Sequence, residues 1–154
     1  MSALAPSPKE TIIRQPGEGK SLRCFGGNLR YLVTGEETGG WLSAGILDAP
    51  PENGPPLHVH SSEDEMFIVI EGTFAIFANG EWTECGPGAT AFLPRDKPHT
   101  FKNVGSTPGK LCVIANPPGM ESFFDQCEEP FYRENGPDME TITGIAENHG
   151  IRFL

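Results

Sequence analysis

The sequence lacks the marks of a disulfide scaffold, a zinc finger, a membrane span and a nucleic-acid binder. Its four cysteines, Cys24, Cys85, Cys112 and Cys127, lie far apart, with no CxxC pair and no histidine at zinc-finger spacing. That argues against structural zinc and leaves reduced, mostly buried thiols as the expectation. No apolar run approaches the roughly 18 residues of a membrane span, and Met1 to Arg14 lacks the basic and apolar regions of a secretory signal. A cytoplasmic location with no membrane partner is expected. Positive charge is scarce too: 11 basic against 21 acidic residues give a net charge of -10, with no Lys/Arg cluster to meet a phosphate backbone. Nucleic acid is therefore an unexpected partner, and the scattered carboxylates have the ordinary meaning of a solvated surface.

What is abundant is punctuation. The 19 Gly and 15 Pro in 154 residues follow no period, so they read as breaks between many short strands in one all-β domain spanning 1–154. Residues 1–10 have little to bury and are expected to be a mobile arm. Short strands are expected at Thr11–Arg14, at Ser21–Phe25 and Asn28–Thr34 around a Gly26-Gly27 turn, and at Trp41–Leu47. Asn79-Gly80 is the strongest two-residue hairpin signal and should join Thr73–Asn79 to Glu81–Glu84. Thr90–Leu93 and Lys110–Ala115 complete the series. Met66–Ile70 is apolar on both faces, so both should be covered, the outer one by a second subunit of a homodimer. After Asn116-Pro-Pro-Gly119 the character becomes helical: Met120–Cys127 first, then Pro137–Glu147 with Pro137 near the first helical position and Met139, Ile142, Ile145 and Ala146 on one stripe. Ile151–Leu154 would add a last short strand. His149 should sit at the helix C-terminus, where the dipole favours it, outside any site.

The chemistry is concentrated between Gly54 and Gly72. His58 and His60 are two apart, so on an extended strand both imidazoles leave the same face. Glu65 can return to them if the chain turns through Ser61 to Asp64, and His99 would supply a third nitrogen. Glu63 and Asp64 are expected to be solvated. Three nitrogens and one carboxylate suit a single divalent transition metal, Fe, Ni, Mn, Co or Zn, with positions left open for a ligand. An HxH alone is a common accident. The positions of Glu65, Gly72, Gly88, Pro94, His99 and Asn103 around it are what give it weight.

Those positions resemble the two motifs of the cupin superfamily. The first is Gly54, three residues where that pattern usually has five, His58 and His60 as HxH, four residues, Glu65, six residues and Gly72; the second is Gly88, Pro94, His99 and Asn103, with Asp96 where that pattern usually has Gly. Asp tolerates a left-handed backbone better than most residues. The resemblance covers Trp41 to Ala115 and implies a cupin β-barrel, a jelly roll of antiparallel strands with the metal in its mouth and a short C-terminal helical segment. It implies His58, His60, Glu65 and His99 as metal ligands. By alternation Phe67, Val69 and Phe101 should line the pocket, and Phe123 and Phe124 could cap it. Asn116–Asp125 also looks like the tail that follows the barrel in quercetinase-like cupins. That likeness implies a dioxygenase whose small-molecule substrate is a flavonol or another small aromatic or enolisable compound, with dioxygen as co-substrate and Glu65 both ligand and catalytic base. A metal-dependent isomerase, a hydrolase and a non-catalytic small-ligand-binding cupin remain as alternatives.

Overall fold

The strands and helices follow the Gly/Pro punctuation closely in the computed structural model, which describes residues 10–154; the arm expected over 1–10 lies outside these apart from Glu10. In chain order the elements are β1 (Ser21–Cys24), β2 (Gly27–Val33), β3 (Ser43–Ala49), β4 (His58–His60), β5 (Asp64–Glu71), β6 (Phe74–Ala78), β7 (Glu81–Cys85), β8 (Thr90–Leu93), β9 (Thr100–Asn103), β10 (Gly109–Asn116), α1 (Met120–Phe131), α2 (Met139–Asn148) and β11 (Ile151–Phe153). All pairings are antiparallel. A six-stranded sheet runs β1-β2-β3-β10-β5-β8, a three-stranded sheet β7-β6-β9, and a two-stranded one β11-β4. The inward residues of the strands, among them Leu29, Leu47, Phe67, Val69, Phe74, Ile76 and Leu111, form one core. Alternation explains the choice: β3 buries every second side chain from Ser43 to Ala49.

Four local expectations are corrected. Thr11–Arg14 forms no strand; the Arg14 guanidinium reaches the Leu32 carbonyl at 2.6 Å instead, and also pairs with Glu37. The β1–β2 turn is Phe25-Gly26 rather than Gly26-Gly27, with Phe25 at φ 48 and Gly26 at φ 89. A left-handed phenylalanine costs about 1–3 kcal/mol, and its surroundings hold it there: the ring packs on Phe123 and Phe131 at 5.8 and 5.2 Å, and Asn53 donates to its carbonyl. Helix α1 continues past Cys127 to Phe131, with Pro130 inside its last turn, where the missing N–H leaves the Gln126 carbonyl without its usual helical partner. Pro137 stands just before α2, whose N-cap is Asp138 with its carboxylate accepting from the Thr141 N–H. The Asn79-Gly80 turn is as expected, both residues lying at positive φ.

The apolar β5 is fully buried on one face only. Phe67 and Val69 lie in the core, whereas on the other face Met66 and Ile68 are half-buried and Ile70 is 47% exposed, so the described residues cover that side only in part. All four cysteines are free thiols, three of them buried. Among the described residues no helix is long and apolar enough to cross a membrane.

Two motif residues act through the backbone. Gly54 crosses β9 so closely that a Cβ there would stand 1.9 Å from the Phe101 carbonyl oxygen. Asn103, fully buried, donates to the carbonyls of Ala49 and Thr107 and accepts from the Gly105 N–H, tying three segments. Gly54→Ala is therefore expected to destabilise the fold by more than about 3 kcal/mol; urea unfolding of the two proteins side by side checks this.

The C-terminal unit closes one end of the barrel. Phe123 and Cys127 of α1, Ile142 and Ala146 of α2, and Ile151 of β11 share one buried cluster. Its last strand, β11, pairs with β4, setting Ile151 opposite His60 and Phe153 opposite His58.

Candidate metal centre

His58 and His60 lie on β4 with both side chains buried and Val59 between them facing away. His99 joins them by pairing with His58: each backbone N–H donates to the other's carbonyl, at 3.2 and 3.0 Å. In an antiparallel pair, residues directly opposite project from the same face. The turn before His99 uses Asp96 at φ 64, the left-handed conformation that its place in the motif calls for, and its N–H donates to the His60 carbonyl at 2.7 Å. Glu65 opens the buried run of β5, across the Ser61–Ser62 bend; β4 and β5 belong to different sheets, so the motif spans both. One ligand atom from each of His58, His60, Glu65 and His99 lies within 4.8 Å of all the others, and all four residues are buried.

Each imidazole is held by its Nδ1. That of His58 meets the Pro56 carbonyl at 2.7 Å, that of His99 the Lys97 carbonyl at 3.3 Å, and that of His60 the Glu63 carboxylate at 3.2 Å. A carbonyl can only accept, so Nδ1 carries a proton in the first two, and Nε2 is the ring nitrogen turned to the centre. His60 Nε2 is a buried atom with no hydrogen-bond partner; it lies 3.2 Å from a Glu65 oxygen but off the hydrogen-bonding direction. His99 Nε2 is 2.8 Å from the same oxygen.

The charges agree with a cluster built around a cation. Burial, helped by the neighbouring His99, pulls the His58 imidazole down to about 4, so that it is neutral. Burial pulls on His60 as well, but the carboxylates of Glu63 and Glu65 outweigh it and raise that ring to about 9. Burial pushes the Glu65 carboxyl up, and its contacts with His60 and His99 bring it down to about 2. Without an ion, protons on the histidines balance the buried carboxylates; a divalent ion would take their place. An orphaned buried nitrogen, two further ring nitrogens facing the same point and a carboxylate oxygen at that point fit a divalent transition metal.

Of Glu63 and Asp64, both expected to be solvated, only Asp64 stays in contact with solvent. Glu63 is only 6% exposed because it turns inward to His60. Asp64 pairs with Arg95, accepting from its backbone and its guanidinium. The three-residue interval from His60 to Glu63, within a bend, was the available signal.

Beside the cluster lies a cavity of about 270 Å³ whose wall is apolar and rich in phenylalanine: Phe25, Phe67, Phe101, Phe123, Phe124, Phe131 and Phe153 stand among aliphatic side chains. Of the expected pocket residues only Val69 is misplaced. It shares a strand face with Phe67 but lies about 7 Å further along β5, where it packs in the barrel core and does not reach the cavity. The polar side chains on the wall are Asn53, His58, His60 and Glu65, and among the described residues no Lys or Arg lines it. His149 caps α2, its ring 6.1 Å from that of Phe123, outside the cavity wall.

The family model described as Cupin domain matches residues 45–115. Quercetin 2,3-dioxygenase of Bacillus subtilis is 25% identical over 162 residues, covering 97% of this chain and 46% of the relative. An uncharacterized protein of Methanocaldococcus jannaschii is 31% identical over 62 residues, covering 40% of this chain and 50% of the relative. The chain thus spans about half the length of these relatives. KdgF from Halomonas sp. has the same fold, with a TM-score of 0.65 at 15% identity over 73% of this chain and 99% of that one. The motif-matched strands, the antiparallel barrel and the family model agree over residues 45–115, and that part of the chain is a match to the cupin domain.

Proposed function

We propose that this protein is a metal-dependent dioxygenase acting on a small, uncharged aromatic or enolisable substrate of the flavonol type. The observation that carries the reading is the cavity: apolar, rich in phenylalanine, and ending on the buried three-histidine, one-glutamate cluster. With no Lys or Arg among the described residues of its wall, the pocket offers an anionic group nothing beyond the metal centre itself, whereas its phenylalanine-rich wall suits a planar ring and excludes water. The 25% identity along 97% of this chain with 46% of a quercetin 2,3-dioxygenase points the same way.

A metal held by His58, His60, Glu65 and His99 would supply Lewis acidity at a substrate hydroxyl and, if redox-active, an electron path to dioxygen. The protein's own part is positioning and proton handling. Phe67 and Phe101, edge to face with ring centroids 5.4 Å apart, fix one side of the slot. Glu65 is the one carboxylate on the wall, placed to take the hydroxyl proton. Burial favours its protonated form, which suits a base that must keep a proton, while the histidine contacts hold it ionised until then.

Incubating metal-loaded protein with a flavonol panel, with and without air, tests this reading. Oxygen-dependent consumption of at least one flavonol, and none of phosphorylated sugars or dicarboxylates, is expected. No oxygen-dependent turnover with any of the five metals would overturn it. Oxygen-independent turnover would indicate an isomerase or hydrolase, and tight ligand binding without metal a binding module.

A further inference from the structure

We infer that Glu63 is a positioning residue of the metal centre, whose buried carboxylate keeps the His60 proton on Nδ1 so that Nε2 faces the ion. The inference rests on the cluster being a metal site, not on the dioxygenase reading. The three histidines are anchored unequally. His58 and His99 lean on the backbone carbonyls of Pro56 and Lys97, each two residues upstream. The His60 Nδ1 has a side-chain partner instead, the Glu63 oxygen at 3.2 Å. That difference follows from the chain path. The His60 carbonyl is taken by the Asp96 N–H, the backbone then bends through Ser61 and Ser62, and the bend returns Glu63 beneath the ring.

Glu63 also lies near the start of α1. Its other oxygen faces Gly119 at the start of α1, where a Cβ would stand 3.8 Å away. A carboxylate that is only 6% exposed and whose recorded hydrogen-bond contact is one imidazole nitrogen has no surface role. The unpartnered His60 Nε2 is what this anchoring leaves over. Without an acceptor at Nδ1 the proton is free to move to Nε2 and the ring to turn, and either change removes a ligand.

The test compares the full-length parent with E63A and E63Q, each stripped by chelator and titrated with Co(II), reading affinity by competition and the visible ligand-field spectrum. E63A is expected to lose about 10–100-fold in Co(II) affinity, with a changed spectrum. E63Q keeps an oxygen that can accept from Nδ1–H, and should stay within about tenfold of the parent. Melting of the metal-free proteins is recorded alongside. Unchanged Co(II) affinity and spectrum in folded E63A overturns the inference, even if that protein melts earlier, because a merely structural contact would have exactly that effect. A parent that binds no Co(II) overturns it together with the metal centre, whereas a parent that binds Co(II) but turns over no flavonol overturns only the proposed function. If E63A does not fold, E63M, of similar length and without an oxygen acceptor, replaces it under the same criteria.

Discussion

Replacing His99 with Ala is expected to remove metal binding, with a loss of at least about a hundredfold in affinity, beyond the roughly 10–100-fold typical of outer partners. The ring is 2% exposed and cannot be replaced by water from outside without rearrangement. The substitution also strips Glu65 of its 2.8 Å partner, leaving the 3.2 Å approach from His60 as its remaining charge contact in the cluster. Breaking a buried pair from one side typically costs about 3–5 kcal/mol, so the metal-free variant should unfold at lower urea than the metal-free parent. Two separate readings follow: metal per chain by elemental analysis and the urea midpoint. A variant that keeps stoichiometric metal would mean that His99 is not a ligand. The backbone bridge between residues 58 and 99 does not need the imidazole, so the barrel itself should survive.

Glu65→Gln has the opposite profile. The amide preserves shape and one oxygen able to coordinate, so the variant should still take up metal, more weakly. It cannot accept the substrate proton, and general-base contributions of about 10²–10⁴-fold are at stake. Turnover is expected to fall by at least about a hundredfold at saturating metal, with the flavonol still bound, since the aromatic walls do not touch this change. Steady-state rates in the presence of excess metal, together with a binding titration of the flavonol, separate the two effects. Full activity in the variant would mean that another group takes the proton.

Much of the site was legible because its parts are carried by local rules. Two histidines on one strand face need only the two-residue period of extended backbone, and Asp96 could be expected at positive φ from its place in the motif. The Asn79-Gly80 hairpin is legible for the same reason. Features decided by distant packing were not. The β1–β2 turn takes Phe25 rather than a second glycine into the left-handed region because α1, about 100 positions later, offers rings to hold it. Glu63 looked like one surface acid among many, and only the bend under His60 and the approach of Gly119 bury it. Val69 obeys the alternation that placed it on the pocket face, but alternation says nothing of depth along the strand. The pairing of β11 with the ligand strand β4 could not be read from either segment, since three residues carry no register signal.

The tail matters to function through that pairing. Residues 45–115, the part matched by the family model, supply all four candidate ligands, while Phe25 on one side and Phe123, Phe124 and Phe131 on the other supply much of the aromatic wall. All four candidate ligands therefore come from the matched segment, whereas the aromatic wall is shared between Phe67 and Phe101 of that segment and phenylalanines from both flanks.

X-ray absorption at the metal edge of Co(II)-loaded protein tests the central claim most directly. One ion per chain is predicted, surrounded by nitrogen and oxygen at about 2.0–2.2 Å, with the outer-shell scattering of three imidazoles and no sulfur. A spectrum with sulfur at about 2.3 Å, or with no imidazole scattering, would contradict the assignment of His58, His60, Glu65 and His99 as the metal-binding set.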